Sequence, residues 1–134
     1  MLRVNADEIE LTNDHIYQWN GHPFSGVGIE LDINGVLISE IAFENGIQSG
    51  TSRCFYTSGR VKVESNYWNN TLNGFAREWD DDGLLLREDE YEKGICICRK
   101  VRSHSVELTV SYMIGKDDPQ YTILQLLRSA SFSN

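Results

Sequence analysis

Basic residues are scarce in this chain of 134 residues, because twelve Lys and Arg stand against twenty Asp and Glu for a formal charge of −8. A nucleic-acid binder needs clustered Lys and Arg to neutralise phosphates, so we expect no nucleic-acid partner. The same charge argues against binding to anionic lipid. No stretch approaches the run of about 18 apolar residues that spans a membrane. No apolar run follows Met1, so the sequence predicts a cytoplasmic protein without a signal peptide.

Cysteine and proline are also scarce, since the chain has three cysteines and two prolines. An odd number of cysteines without a signal segment is typical of a reducing compartment rather than of a disulfide framework. No spacing pattern links Cys54, Cys96 and Cys98 to the three histidines as metal ligands. Motifs for a serine nucleophile, a zinc hydrolase or a phosphate loop are absent from the sequence. We therefore expect no metal, no cofactor and no enzymatic activity.

Glycine, in contrast, is plentiful, and eight of the eleven glycines recur on a lattice of 24 residues. Three full units are visible, 19–42, 43–66 and 67–90, and a fourth decays after Gly94. Such self-similarity is the signature of a repeat architecture. The recurring columns are Gly26, Gly50 and Gly74; Gly35, Gly59 and Gly83; Glu40, Glu64 and Glu88; and Trp19, Phe43, Tyr67 and Tyr91.

Each unit contains two turn signals separated by segments of alternating polarity. Asn-Gly and Asp-Gly pairs favour type I′ hairpin turns, in which both central residues need positive φ. Two strands per unit, joined by short turns, predict an antiparallel meander. Alternation places the aromatic column on one face and the glutamates on the other, where we expect them to pair with Lys or Arg across strands or to solubilise the sheet. The turn pairs are Asn34-Gly35, Ser58-Gly59 and Asp82-Gly83, and then Asn45-Gly46, Asn69-Asn70 and Lys93-Gly94.

The two ends of the chain depart from the lattice. In residues 1–18, Ile9 and Leu11, together with Ile16 and Tyr17, predict one or two cap strands that join the first edge of the meander. Val106 to Ile114 predicts a further strand. Asp118 and Pro119 are typical of a helix start. The helix that follows is expected to dock its apolar positions on the aromatic face of the sheet; these positions are Ile123, Leu126, Leu127 and Ala130.

The sequence thus predicts a single, mainly β domain over residues 1–134. Its parts are N-terminal cap strands (1–18), repeats (19–98), and a C-terminal strand and short helix (99–134). The repeat pattern resembles the MORN-repeat variant of bacterial antitoxin and immunity proteins, the YwqK-like group. The resemblance covers about residues 15–100 and includes the Pro23-Phe24-Ser25-Gly26 entry, in which Ser25 stands where threonine is usual.

This resemblance implies a protein that binds and inhibits a cognate bacterial toxin, and it leaves the toxin unidentified. A nuclease toxin would be basic, because its substrate is a polyphosphate. The alternative is a MORN-like scaffold for another protein or for a membrane surface. The oligomeric state stays open.

Two features are candidates for partner binding. Residues 78–92 hold eight acids and one base, Arg87, so they form either a docking patch for a basic partner or a solvated turn and edge. Trp68, whose parity is opposite to that of the aromatic column, is either an exposed anchor or is covered by a terminal segment. The acidic candidates are Glu78, Asp80, Asp81, Asp82, Glu88, Asp89, Glu90 and Glu92.

Overall fold

The computed structural model describes residues 1–103 and 107–131 and is mainly β, as predicted. It contains thirteen strands, a 3-10 turn at Ala6–Glu8 and one helix, α1, at Pro119–Ser131. No helix in these two ranges is long and apolar enough to cross a membrane. The strands are β1 (Arg3–Asn5), β2 (Glu10–Leu11), β3 (Tyr17–Trp19), β4 (His22–Pro23), β5 (Gly26–Leu31), β6 (Leu37–Glu44), β7 (Ile47–Gln48), β8 (Gly50–Phe55), β9 (Val61–Trp68), β10 (Thr71–Trp79), β11 (Leu85–Glu92), β12 (Ile95–Arg102) and β13 (Leu108–Met113).

Ten of these strands form one large sheet. Its order is β1-β5-β6-β8-β9-β10-β11-β12-β13, with the short β7 paired to β6. Every pairing from β5 to β13 is antiparallel, so the predicted meander is confirmed. Strand β13 begins at Leu108, and the predicted strand start at Val106 lies outside the described residues.

The turns at the two ends of the sheet differ in geometry. At one end, Asn45-Gly46, Asn69-Asn70 and Lys93-Gly94 all have positive φ at both positions, as type I′ turns require. At the other end only Gly35, Gly59 and Gly83 have positive φ, so type I′ is wrong there. These loops are longer: the Gly83 N–H donates to the Asp80 carbonyl and the Asp80 N–H to the Leu84 carbonyl, and the 32–36 and 56–60 loops repeat both bonds.

The apolar core lies at the N-terminal end of the large sheet. A second sheet, β2-β3-β4, contributes Tyr17 and Trp19, which pack on Phe24 and Phe43. A strand from residues 1–18 does join the first edge of the meander, but the predicted residues are wrong, because Leu11 and Tyr17 lie in strands of the second sheet and Ile9 lies in no strand. Strand β1 takes that edge, in parallel to β5. Ile9 instead packs on the core, in space left free by Gly28, where a Cβ would lie 2.8 Å from Ile9 Cδ1.

Helix α1 begins as predicted, because the Asp118 side chain accepts a hydrogen bond from the Gln120 N–H at 2.9 Å. Its buried face differs from the predicted one. Leu124 is fully buried, whereas Leu126 is 66% exposed. The ends of the helix are fixed by polar contacts, Asp118 with the Tyr112 hydroxyl and Arg128 with Glu92. These contacts orient the helix so that its predicted apolar positions are exposed: Ile123, Leu126, Leu127 and Ala130.

Candidate partner-binding surface

The acids of residues 78–92 do not form one patch. Asp80, Asp81 and Asp82 lie in the turn after β10, whereas Glu92 ends β11 at the opposite end of the sheet. Strand β10 has nine residues, so the two ends are about 30 Å apart at roughly 3.3 Å per residue. Within β11 the side chains alternate between faces. Glu88 and Glu90 share one face, and Asp89 lies on the other.

Asp89 is buried, with 3% of its surface exposed. Its carboxylate accepts hydrogen bonds from Arg87 Nη2 at 2.9 Å and from Arg99 Nε at 3.0 Å. Burial raises the pKa of this carboxyl, but the hydrogen bonds from the two guanidinium groups outweigh it and hold the pKa below its usual value. Asp89 is therefore part of an internal ion cluster, and its assignment to an exposed docking patch is wrong.

The opposite face of the sheet carries a row of charges that alternate in sign across six neighbouring strands, which we call the charge ladder. Arg53 Nε lies 2.8 Å from Glu64, and Arg77 Nε lies 2.8 Å from Glu88. At the first edge, Arg3 pairs with Glu40 at 3.0 Å. The predicted cross-strand pairing of the glutamate column is thus confirmed. Directly opposed residues follow the order Glu40, Arg53, Glu64, Arg77, Glu88 and Lys100.

The 80–84 turn combines structural and free carboxylates. Asp80 accepts hydrogen bonds from the N–H groups of Asp82 and Leu84, both at 2.9 Å, and so holds the turn. Asp81 accepts from the Ser58 hydroxyl at 2.6 Å. Asp81 and Asp82 are exposed at the tip, and no ion pair engages either carboxylate within residues 1–103 and 107–131. Only this turn of the predicted patch places neighbouring acids together on the surface.

The electrostatic effect of this turn extends to Tyr56, whose hydroxyl donates to the Trp79 carbonyl at 2.8 Å. Desolvation by burial is the main cause that raises the pKa of the Tyr56 hydroxyl. The negative charges of nearby carboxylates, of which Asp81 has the largest effect, raise this pKa further. Only the part of this shift that comes from the carboxylates, which disfavour the phenolate, reflects a negative potential around the turn. Glu78 contributes to the same potential. Its side chain lines a shallow groove on the Asp89 face, beside Arg87.

Trp68 is 57% exposed, so no terminal segment within residues 1–103 and 107–131 covers it. It lies at the end of the sheet opposite the acidic turn and lines a recess of about 330 Å³, which we call the Trp68 recess. On the ring itself, Lys93 Nζ lies 5.8 Å from the centroid. The remaining lining residues are Glu44, Asn45, Ile47, Ser49 and Asn69.

Glu44 was missed by sequence reasoning, although a signal was available. It stands 24 residues before Trp68 and 48 residues before Glu92, at the last strand position before each turn. Glu44, Trp68 and Glu92 are not all of one residue type, so a search for recurring residues does not detect this column.

Among the described residues, no group of three or more His, Cys, Asp or Glu side chains is arranged to hold a metal ion. The three cysteines are free thiols. Burial, followed by the charge of Asp89, raises the pKa of the Cys96 thiol, which disfavours the reactive thiolate.

Comparisons with models of known protein families, with curated proteins and with solved structures find no match to this chain.

Proposed function

We propose that this chain is a toxin-neutralising immunity protein that binds and inhibits a cognate bacterial toxin by protein–protein interaction. The exposed Trp68 beside an open recess is the observation that carries the proposal. Trp is enriched among the residues that dominate binding energy. Burying a large, exposed apolar ring in an interface removes much apolar surface from water and so contributes strongly to the free energy of binding.

The proposed MORN-like repeat gives this role a scaffold. The loops at 32–36, 56–60 and 80–84 share the same backbone hydrogen bonds at intervals of 24 residues. A sheet built in this way exposes both of its turn ends, and loops and turns are where binding residues concentrate. The family resemblance and the exposed turn ends therefore favour the same kind of function, recognition of another protein.

The acidic turn favours a basic partner, such as a nuclease domain. Asp81 and Asp82 are exposed and lack ion pairs in the described part of the chain, so their charge is available to a partner. Complementary charge raises the association rate, and this gain falls with ionic strength. Fast capture is what a neutraliser of a toxic enzyme needs.

The test is co-expression with the product of the neighbouring open reading frame. We expect that product to arrest growth alone, and this chain to restore growth and form a one-to-one complex. Trp68→Ala should weaken the complex by about 2 kcal/mol, the range of an interface hot spot. A folded wild-type chain that neither binds that product nor restores growth contradicts the proposal.

The acidic turn is tested separately with Asp81→Asn combined with Asp82→Asn, which spares the structural Asp80. We expect a several-fold slower association at low salt and little change in dissociation. Asp7→Asn with Glu8→Gln removes the same charge from the exposed 3-10 turn and serves as the matched control. Equal association rates for the two double variants would show that the turn does not steer the partner.

A further inference from the structure

Glu44 and Trp68 line the same recess from two strands, β6 and β9, that have β7 between them. Each is the last residue of its strand, and each follows a residue of the aromatic column, so both side chains point to the face of the charge ladder. The turn that carries Trp68 is fixed to β7, because the Gln48 N–H donates to Asn70 Oδ1 at 2.7 Å and the Asn70 N–H donates to the Gln48 carbonyl at 2.9 Å. The recess between them is therefore preformed.

The Glu44 carboxylate is exposed and carries an uncompensated charge. Within residues 1–103 and 107–131, no ion pair or hydrogen bond engages its oxygens. The ladder glutamates on the same face differ, because Glu40, Glu64 and Glu88 each have an arginine within 3.0 Å. Glu44 thus supplies a negative charge at the rim of the recess that the described part of the chain does not neutralise.

The chain shows at an equivalent position what such a carboxylate binds. Glu44 is the last residue of β6 before the Asn45-Gly46 turn, and Glu92 is the last residue of β11 before the Lys93-Gly94 turn. Its two oxygens accept hydrogen bonds from Arg128 of α1, with Nη2 at 2.8 Å from Oε1 and Nε on Oε2. At this end of the sheet, a glutamate before the turn therefore pairs bidentately with a guanidinium that comes from another element.

The ring of Trp68 adds a second contact for a cation. Lys93 Nζ, 5.8 Å from the ring centroid, shows that a positive group already rests against this ring. A guanidinium is planar, so it can pair bidentately with a carboxylate and lie flat on an aromatic ring, whereas an ammonium is a point charge that forms no bidentate pair. Arginine is therefore the side chain whose chemistry matches a free carboxylate, an exposed indole and the aliphatic Ile47.

We propose that the Trp68 recess binds an arginine side chain of the partner, with its guanidinium on Glu44 and against the Trp68 ring; this rests on the proposed function in that the partner is the toxin. The site adds to that function a chemical requirement for the partner, which is an exposed arginine side chain. The partner is a protein with an exposed arginine at the rim of its own binding surface.

The test is a titration of the uniformly ¹⁵N-labelled full chain with the capped tripeptide Gly-Arg-Gly, followed by NMR. We expect the Trp68 indole N–H and the Ile47 amide to shift saturably, with a dissociation constant in the range of tens of millimolar, while the indoles of Trp19 and Trp79 stay in place. Gly-citrulline-Gly, which keeps the shape and loses the charge, should give no saturable shift.

Variants then assign the contacts. Glu44→Gln and Trp68→Leu should each weaken the arginine peptide by about threefold, the strength of one exposed ion pair or cation–π contact. Glu8→Gln, which makes the same change of residue in the exposed 3-10 turn, is the matched control and should change nothing. Unperturbed amide spectra elsewhere show that each variant is folded.

The proposal is overturned by equal shifts with citrulline, by no saturable shift at the Trp68 indole, by unchanged affinity in Glu44→Gln, or by tighter binding of Gly-Lys-Gly than of Gly-Arg-Gly. The titration uses no toxin, so its failure leaves a positive growth rescue intact. Conversely, a failed rescue with a positive titration would remove the proposed function and keep the arginine site.

Discussion

Replacing Asp89 with Asn tests whether the buried acid of β11 serves the fold rather than a partner. Removing one member of a buried ion pair costs about 3–5 kcal/mol, because the other charge is left uncompensated. Here the side chains of Arg87 and Arg99 are 40% and 35% exposed, so water compensates them in part. We therefore expect Asp89→Asn to lower the free energy of unfolding by about 2 kcal/mol, which is roughly 6 °C in melting temperature.

The measurement is urea unfolding at pH 7, with Glu90→Gln as the matched control. Glu90 is the next residue, faces the other side of the sheet and has no ion pair among the described residues. Its variant should lie within about 0.5 kcal/mol of the wild type. Agreement between the two variants would refute the assignment of Asp89 to a structural ion cluster.

The pH dependence supplies a second readout. The pKa of Asp89 is lower in the folded than in the unfolded chain, where an Asp titrates near about 3.9. Its stabilising contribution is therefore complete above about pH 4 and is lost as the pH falls through the depressed folded value. The stability difference between wild type and Asp89→Asn should shrink below about pH 4. A difference that stays constant down to pH 3 would contradict the ion-pair mechanism.

Further predictions concern the turns and the helix. Gly46 and Gly35 have the same φ, +80° and +81°, but a Cβ at Gly46 would lie 2.4 Å from Ile16, whereas one at Gly35 meets nothing within 4 Å. Gly46→Ala should thus cost about 3 kcal/mol and Gly35→Ala about 1 kcal/mol by urea unfolding. Leu124→Ala should cost about 3 kcal/mol and speed amide exchange in α1, and Leu126→Ala should do neither. Equal costs within either pair would contradict the packing described.

The parts of the fold that depend on short-range chemistry could be predicted from the sequence. Positive φ at Asn45-Gly46 and the cap at Asp118 are local preferences of those residues. The glutamates of the repeat pair with arginines because directly opposed side chains on one face of a sheet lie within contact distance. The predicted acidic patch failed for a geometric reason. Glu88 and Asp89 are neighbours in the chain but lie on opposite faces, so a count of charges along the sequence joined residues that the sheet separates.

The helix face and the recess were beyond the sequence for a different reason. Which side of α1 is buried depends on two contacts with residues outside the helix, of Asp118 with Tyr112 and of Arg128 with Glu92, that no helical periodicity encodes. Likewise, Glu44 and Glu92 occupy equivalent positions in the sequence, and only the structure shows that Glu92 is paired with Arg128 whereas Glu44 has no ion pair among the described residues.

The charge ladder also has a consequence for how the molecule looks to an approaching protein. Its three glutamates are matched by Arg3, Arg53, Arg77 and Lys100, so the ladder itself carries no excess of negative charge. The surplus of acids behind the charge of −8 must then lie outside the ladder. The paired charges of the ladder largely cancel at a distance, so a positively charged protein would be guided first to exposed acids that no ion pair neutralises in the described part of the chain, such as Asp81, Asp82 and Glu44.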